Sequence, residues 1–535
     1  MSVPSRNHSV RKRSRACEEC HRLKIKCDVS PSSGGTCERC SRNGLVCEPA
    51  APRLQRDRIS ELEAQVQELR VALREKSSST TPSRSPGSST DSHDQSILSY
   101  LDARVPLDKQ QKLLQFYAFH AGTAWPVVRL KRDLDYIRTK SPVLLLSVLV
   151  HCLTQETQGT EPDVHEDMIR EAMQVVGDEI IARGQRSLEL VQALLISAFW
   201  NKPGRGSRAS CYQIIQLAAD MAIDLGIAGV SWQPSPVSFF SRHEDPASVE
   251  ARRTWLACFV AVSTSSMSMR RPNTIPWNAH HQGCLMYLEN TGDESDMLLG
   301  QIVRITKLME DAAVQMHLCQ LAVFVDGSDN NTYVAIDMLK NSVDAWAAQI
   351  PPSLATSQTL KVLYHVAMVH IHEVVLHTPT NKAAFVAPYI PGRIPVKDIP
   401  APSSIISPLA SALETLVQNC HAVIDTLANM DPALIISLPS FCFAPSVLYS
   451  LYVLVTTLVT ASYPGNTYGQ CLAKERIRLE EYGLKLRVLT GCLKALDPTM
   501  SCWTTRMIDA TSWLEEWYKD YAAIIARYES NTVMS

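Results

Sequence analysis

Several kinds of signal are missing from this 535-residue chain, and each absence narrows the reading. The opening stretch MSVPSRNHSVRKRSR has no apolar core, so a secretory leader is not expected. No G-x-x-x-x-G-K-[ST] loop, no G-x-G-x-x-G after a strand and no G-x-S-x-G elbow occurs. The usual phosphate-cradling and serine-nucleophile chemistries are therefore absent, and an enzyme is not expected. Alternating strand-like runs are scarce, which argues against a β architecture. From Pro432 to Ala473 there is no charged residue at all, and Val447–Ala461 is strongly apolar. Ser446, Ser450, Thr456, Thr457 and Thr460 interrupt that run, however, and Pro439 and Pro445 break it upstream. The run reads as a buried core helix, so no membrane partner is expected.

What is present is unevenly placed. The whole chain is nearly neutral, with 52 Lys and Arg against 54 Asp and Glu. Residues 1–47 nevertheless carry ten basic and four acidic side chains, a net of +6, and leave −8 for the remainder. A basic head on a mildly acidic body points to a polyanionic partner for the head alone. The 16 cysteines are equally uneven: six lie within residues 17–47, and ten are scattered, mostly in apolar runs. Scattered cysteines of that kind suit a reduced interior, not a disulfide framework.

Composition divides the chain further. After a basic arm (1–16) and the cysteine module (17–47) comes a polar link (48–58) and then a heptad pattern (59–76). Ile59, Leu62, Val66, Leu69 and Leu73 fall at a, d, a, d, a spacing, with Arg58 and Glu63 placed to pair between chains. β-Branched residues at a with Leu at d favour a parallel two-stranded coil, so a homodimer is expected. Residues 77–96 are Ser-, Thr- and Pro-rich and read as a disordered linker. From 97 to 530 the periodicity is helical throughout, giving one large all-α domain with long loops near Gly226–Pro246 and Thr378–Pro402.

Cys17, Cys20, Cys27, Cys37, Cys40 and Cys47 read C-x2-C-x6-C-x9-C-x2-C-x6-C, one half-motif repeated. Six thiolates cannot build two separate tetrahedral zinc sites, which need eight ligands; two ions are each four-coordinate only if two cysteines bridge. A compact cluster with two Zn2+ and pseudo-twofold symmetry follows. Each half should be a short helix starting at its C-x2-C, with Glu18, Glu19 and Glu38 in the first turns and Gly44 as a C-cap. So short a module has no core of its own, and the metal must supply the folding energy. Lys24, at a helix end, is placed to reach acceptors on guanine in the major groove. His21, Arg22, Lys26, Arg39, Arg42 and the arm residues Arg13 and Arg15 are candidates for the surrounding contacts. The run Arg11–Arg15 also suits a nuclear import signal.

These residues resemble the fungal binuclear zinc-cluster transcription factors, and the resemblance extends beyond the cluster. Cluster, short link, short coil and large helical regulatory domain is that family's order. Within the large domain, Glu250-Ala251-Arg252-Arg253-Thr254-Trp255 is similar to the family's Arg-Arg stretch. Arg271-Pro272 stands where Gly-Arg-Pro is common, and Leu376-His377-Thr378-Pro379 where Leu-His-Arg-Pro is common. The resemblance implies that Cys17 and Cys37 bridge the two ions. It places base reading in the stretch His21–Lys26, where Lys24 and Lys26 match the family pattern while His21 and Leu23 replace bases. A Pro usual before the fourth cysteine is replaced by Gly35-Thr36. It further implies a nuclear regulator of RNA polymerase II genes, reading paired CGG-like triplets as a homodimer. Contact with the transcription machinery and a small-molecule effector of the helical domain follow from the same likeness, as does a pathway- or gene-cluster-specific role. The alternative is a zinc-cluster protein that binds other proteins without reading DNA sequence.

Two constellations invite other readings. His370, Glu373 and His377 share a helix face near His365 and His372, but the spacing does not make a zinc-protease pair, and core histidines are expected. Trp513, Leu514, Trp517, Tyr521, Ile524 and Tyr528 among acidic residues look like an acidic-aromatic activation segment. Their spacing equally fits a closing core helix.

Overall fold

The computed structural model describes residues 16–28, 36–48, 88–130, 133–156, 162–201, 211–229, 244–394, 396, 398–440, 442–463 and 465–533. The chain divides into two compact units, Met1–Ser89 and Thr90–Ser535. The coil positions Ile59, Leu62, Val66, Leu69 and Leu73 lie outside the described residues, as do Arg13 and Arg15.

In the first unit two five-residue helices, α1 (Glu18–Arg22) and α2 (Glu38–Arg42), each start at the first cysteine of a half-motif. Acidic residues occupy both first turns and basic residues both last turns, which complements the helix dipoles.

The large unit is helical, with no strand among the described residues. Among its longer helices are α3 (Ser88–Asp102), α4 (Pro142–Glu156), α5 (Leu188–Phe199), α6 (Cys211–Asp224), α7 (Val249–Met269), α8 (Ala279–Glu289), α9 (Glu294–Gln315), α10 (Asn330–Ala348), α11 (Gln358–His372), α12 (Ile406–Ala428), α13 (Phe443–Ser462), α14 (Leu479–Leu496) and α15 (Thr511–Val533). α3 begins inside the stretch 77–96 read as a linker, so the helical region reaches further toward the N-terminus than its composition suggests. Ile97 and Leu101, both buried, supply the apolar anchor for that helix. Polar N-caps begin many of the others: the side chains of Ser187, Ser248, Asn278, Asp293, Asp329 and Ser357 each accept from a first-turn N–H. Gly226, at φ +80°, terminates α6 in the left-handed conformation expected of it.

Packing runs in series, α5 on α6, α6 on α7, α7 on α9, α9 on α11, α11 on α12 and α12 on α13. α13 is the charge-free segment, and 89% of its most apolar window is buried inside the unit. A helix apolar all round belongs in a core. Four of its hydroxyls are satisfied within the helix: Ser450, Thr456, Thr457 and Thr460 donate to the carbonyls four residues back at 2.8–2.9 Å. α15 packs through buried Leu514 and partly buried Trp517 and Tyr521, while Trp513 remains exposed.

At the start of α8, His281 closes a capping box with Asn278 and is stacked between Trp255 (4.9 Å) and Trp277 (5.2 Å). Burial first, then neighbouring His280, push its pKa down to about 3. The folded protein thus holds this imidazole neutral where an unfolded chain would protonate it, near pH 6.5. Stability contributed by the neutral form is present above that pH and is lost as pH falls toward 3. Between pH 7 and pH 5 urea denaturation should lose up to about 2 kcal/mol through this group. His281→Gln should remove that share of the pH slope, and an unchanged slope in the variant contradicts the assignment.

Candidate zinc centre and nucleic-acid interface

Two helices this short cannot bring side chains together by their own stability, yet the small unit gathers its cysteines closely. The sulfurs of Cys17, Cys20, Cys37 and Cys40 all lie within 4.8 Å of one another and are buried, while Cys27 and Cys47 are partly buried at the sides. Separations are 3.8 Å for Cys17–Cys37, 3.7 Å for Cys17–Cys40 and 3.7 Å for Cys20–Cys37. A tetrahedral zinc with bonds of about 2.3 Å holds its sulfurs roughly 3.8 Å apart, so the donor set fits that ion. Cys17 and Cys37 are the two sulfurs that each approach a cysteine of the opposite half besides one another.

The two halves are built alike. The N–H of Cys17 donates to Cys27 Sγ and that of Cys37 to Cys47 Sγ, both at 3.3 Å. Glu18 N–H reaches the Glu48 carbonyl at 2.9 Å, and Glu38 N–H reaches the Asp28 carbonyl at 3.1 Å, so each half clasps the other. Backbone N–H groups at the helix starts favour the thiolate. The Cys40 N–H, foremost, pulls Cys37 down to about 6, and the Cys20 N–H lowers Cys17. Burial raises Cys20 and Cys40. Thiolate is the form that binds metal.

Around this core the basic residues differ in their engagement. Arg22 pairs with Glu19 at 2.9 Å, Lys26 with Asp28 at 3.2 Å and Arg42 with Glu38 at 3.2 Å, all near the surface. Arg39 turns inward, its guanidinium 3.9 Å from Cys20 Sγ. His21 is exposed on α1. Lys24 is exposed and has no ion-pair partner among the described residues. Its φ is +50°, in the left-handed region, and the matching position of the second half is Gly44 at +63°. Leu23, noted above as a departure from the family pattern, and Ile25 are exposed apolar side chains beside Lys24.

In the large unit the stretches that carried the resemblance are structural. Arg253 of α7 makes a two-pronged bond to buried Asp296, at 2.6 and 2.8 Å, and Arg252 stacks on Tyr287. Arg270 ends α7 at φ +50°, at the position before Arg271-Pro272. Its buried guanidinium lies 2.5 Å from the wholly buried carboxylate of Glu373 and donates to Tyr449 Oη (2.8 Å) and the Phe385 carbonyl (3.1 Å). His370 Nδ1 (3.1 Å), Tyr449 Oη and, more distantly, His377 (3.8 Å) surround the same carboxylate. Burial would raise Glu373, but Arg270 and then His370 outweigh it and hold the carboxyl well below its usual range. The histidine–glutamate face noted in the sequence is thus the seat of an arginine.

The fold and the cysteine cluster define a zinc-cluster protein with a large helical companion domain. A family model described as the fungal Zn(2)-Cys(6) binuclear cluster domain matches residues 15–57, and one described as the WAR1 C-terminal domain matches residues 56–456. The chain belongs to the fungal binuclear zinc-cluster transcription factors that carry this C-terminal domain, a family of regulators and not of enzymes; its cofactor is the pair of zinc ions of that cluster. Among curated relatives, transcription factor pbcR of Emericella nidulans is 27% identical over 366 residues, covering 57% of this chain and 48% of that protein. Transcription factor himD of Aspergillus japonicus is 24% identical over 401 residues, covering 68% of this chain and 63% of that protein. The chain therefore spans between about half and less than two thirds of these relatives. No solved structure matches it.

Proposed function

We propose that the protein is a nuclear, zinc-dependent, sequence-specific DNA-binding regulator of RNA polymerase II transcription, with a pathway- or gene-cluster-specific role. The observation that carries this is Lys24, an exposed cation with no ion-pair partner among the described residues, held at the end of α1 in a backbone conformation that glycine would occupy more readily. An L-residue there costs roughly 1 kcal/mol, and the second half of the module avoids that cost with Gly44. A lysine kept at such a position is explained by what its ammonium touches. In this reading Cys17, Cys20, Cys27, Cys37, Cys40 and Cys47 bind the two ions, with Cys17 and Cys37 shared. Lys24 reads guanine edges, and exposed Leu23 and Ile25 lie against the groove wall. His21, Arg22, Lys26, Arg42 and the arm residues Arg13 and Arg15 hold the phosphates, for which the loose surface pairs of Arg22, Lys26 and Arg42 are readily exchanged. Arg39 instead neutralises the sulfur cluster.

Dimerisation through Ile59, Leu62, Val66, Leu69 and Leu73 pairs two triplets, and the link 48–58 sets their spacing. The helical domain carries the regulatory input, including a small-molecule effector, and passes it to the transcription machinery. The test is Lys24→Gly in the full-length protein, titrated against duplexes with varied triplet spacing. The variant should be as stable or more stable, yet lose about tenfold or more in affinity for the preferred site with little change on random DNA. Undiminished preference in the variant removes Lys24 from base reading; absence of preference in the wild type supports the protein-binding alternative.

A further inference from the structure

A cavity of about 280 Å³ lies in the large unit between α7, α9, α11 and α13. Its walls are mainly apolar, with Met267, Met309, Leu363, Val366 and Pro445 among them. Two polar atoms on the lining are buried without any hydrogen-bond partner among the described residues, Ser266 Oγ and Glu310 Oε2. Ser266 is 2% exposed. Unlike the α13 hydroxyls, its oxygen has not bonded back to its own helix. Glu310 is held from its other side: Asn273 Nδ2 donates to Oε1 at 2.8 Å and to Ser263 Oγ at 2.8 Å, which fixes the carboxyl and leaves Oε2 free. A buried polar atom left unpaired is costly, and a carboxylate oxygen and a hydroxyl on one apolar cavity are best accounted for by a molecule that hydrogen-bonds to them.

We infer that this cavity is a binding site for a small, mostly apolar organic molecule of one or two rings whose hydroxyl or amine donates to Glu310 and hydrogen-bonds with the Ser266 hydroxyl. The volume lies at the low end for small-molecule sites, which sets the size. A carboxylate facing inward disfavours anionic ligands; Arg271, the guanidinium on the lining, is engaged over the Tyr212 ring at 4.6 Å. The cavity also touches His370 and Tyr449, both partners of Glu373, so an occupant bears directly on the buried Arg270–Glu373 network. This rests on the reading of the helical domain as the regulatory region only for its consequence; binding itself is measured without DNA.

The probe is 2-naphthol, compared with 2-methoxynaphthalene, which has the same rings and no donor, and with 2-naphthoate. The zinc-loaded full-length protein should bind one 2-naphthol per chain by calorimetry, with the ether and the anion at least about tenfold weaker. Val314→Trp, at an exposed rim position, should abolish saturable binding without unfolding the protein. Glu310→Leu should bring naphthol and ether to equal affinity. The inference is overturned if the wild type shows no saturable 2-naphthol binding, if it binds ether and naphthol alike, or if Val314→Trp binds as the wild type does. A preparation that selects its DNA site yet fails to bind 2-naphthol overturns this inference alone.

Discussion

Stripping zinc from the full-length protein with a strong chelator is expected to abolish site-selective DNA binding while leaving urea unfolding of the helical unit unchanged. Among the described residues of the small unit the buried cluster is the sulfurs themselves: Cys17, Cys20, Cys37 and Cys40, with Ala16, Cys27 and Cys47 packed on it. Without the cations, thiolates drawn this close repel one another, and two five-residue helices cannot persist alone. Affinity should fall to that of nonspecific binding, on the order of a thousandfold or more. Elemental analysis should give two zinc ions per chain before chelation. If Cys37 serves both ions and Cys47 one, as proposed, Cys37→Ala should retain less metal than Cys47→Ala. A single zinc in the wild type, or equal residual zinc in the two variants, is incompatible with the shared-ligand arrangement.

Glu373→Leu is expected to destabilise the helical unit by about 3–5 kcal/mol, since it strands the buried Arg270 guanidinium. Arg270→Gly should be damaging for the converse reason, although it relieves the left-handed backbone at the end of α7. The double variant Arg270→Gly/Glu373→Leu should recover much of the loss, because neither charge is then left unpaired. Urea midpoints for the four proteins measure the coupling; additive losses in the double variant would mean that the two side chains act independently. The ion pair also sets an acid limit. Glu373 is held below its unfolded value, so its contribution is fully present above about pH 4.5 and is lost as pH falls through the depressed folded pKa.

The zinc centre was legible because its chemistry is local. Ligand count and spacing specify a cluster before any tertiary contact is known, and the two short helices follow from the same residues. The apolar helix within the charge-free run was legible as a core helix for a similar reason, since Ser450, Thr456, Thr457 and Thr460 find partners one turn away. The buried knot around Glu373 was only half legible. Helical spacing placed His370, Glu373 and His377 together, but nothing in that spacing could say which cation would meet them, and Arg270 comes from the end of a distant helix. His281 gave no signal at all, because a histidine among apolar residues reads the same whether it caps a helix between two tryptophans or faces solvent. Lys24 was chosen by its place in the motif; its positive φ, the stronger physical argument, becomes visible only with a backbone.

That backbone angle also concerns direction. The cysteines, the caps and the reciprocal clasp through Glu18 and Glu38 are nearly indifferent to exchange of the two halves. Lys24 and Gly44 are not, although both occupy the same left-handed corner. On the proposed reading this difference, with Lys26 against Val46 and Glu19 against Arg39 beside it, makes a pseudo-symmetric module polar, giving it a front that meets the bases and a back that does not. The orientation of each triplet relative to the coil would then follow from which half carries the left-handed lysine.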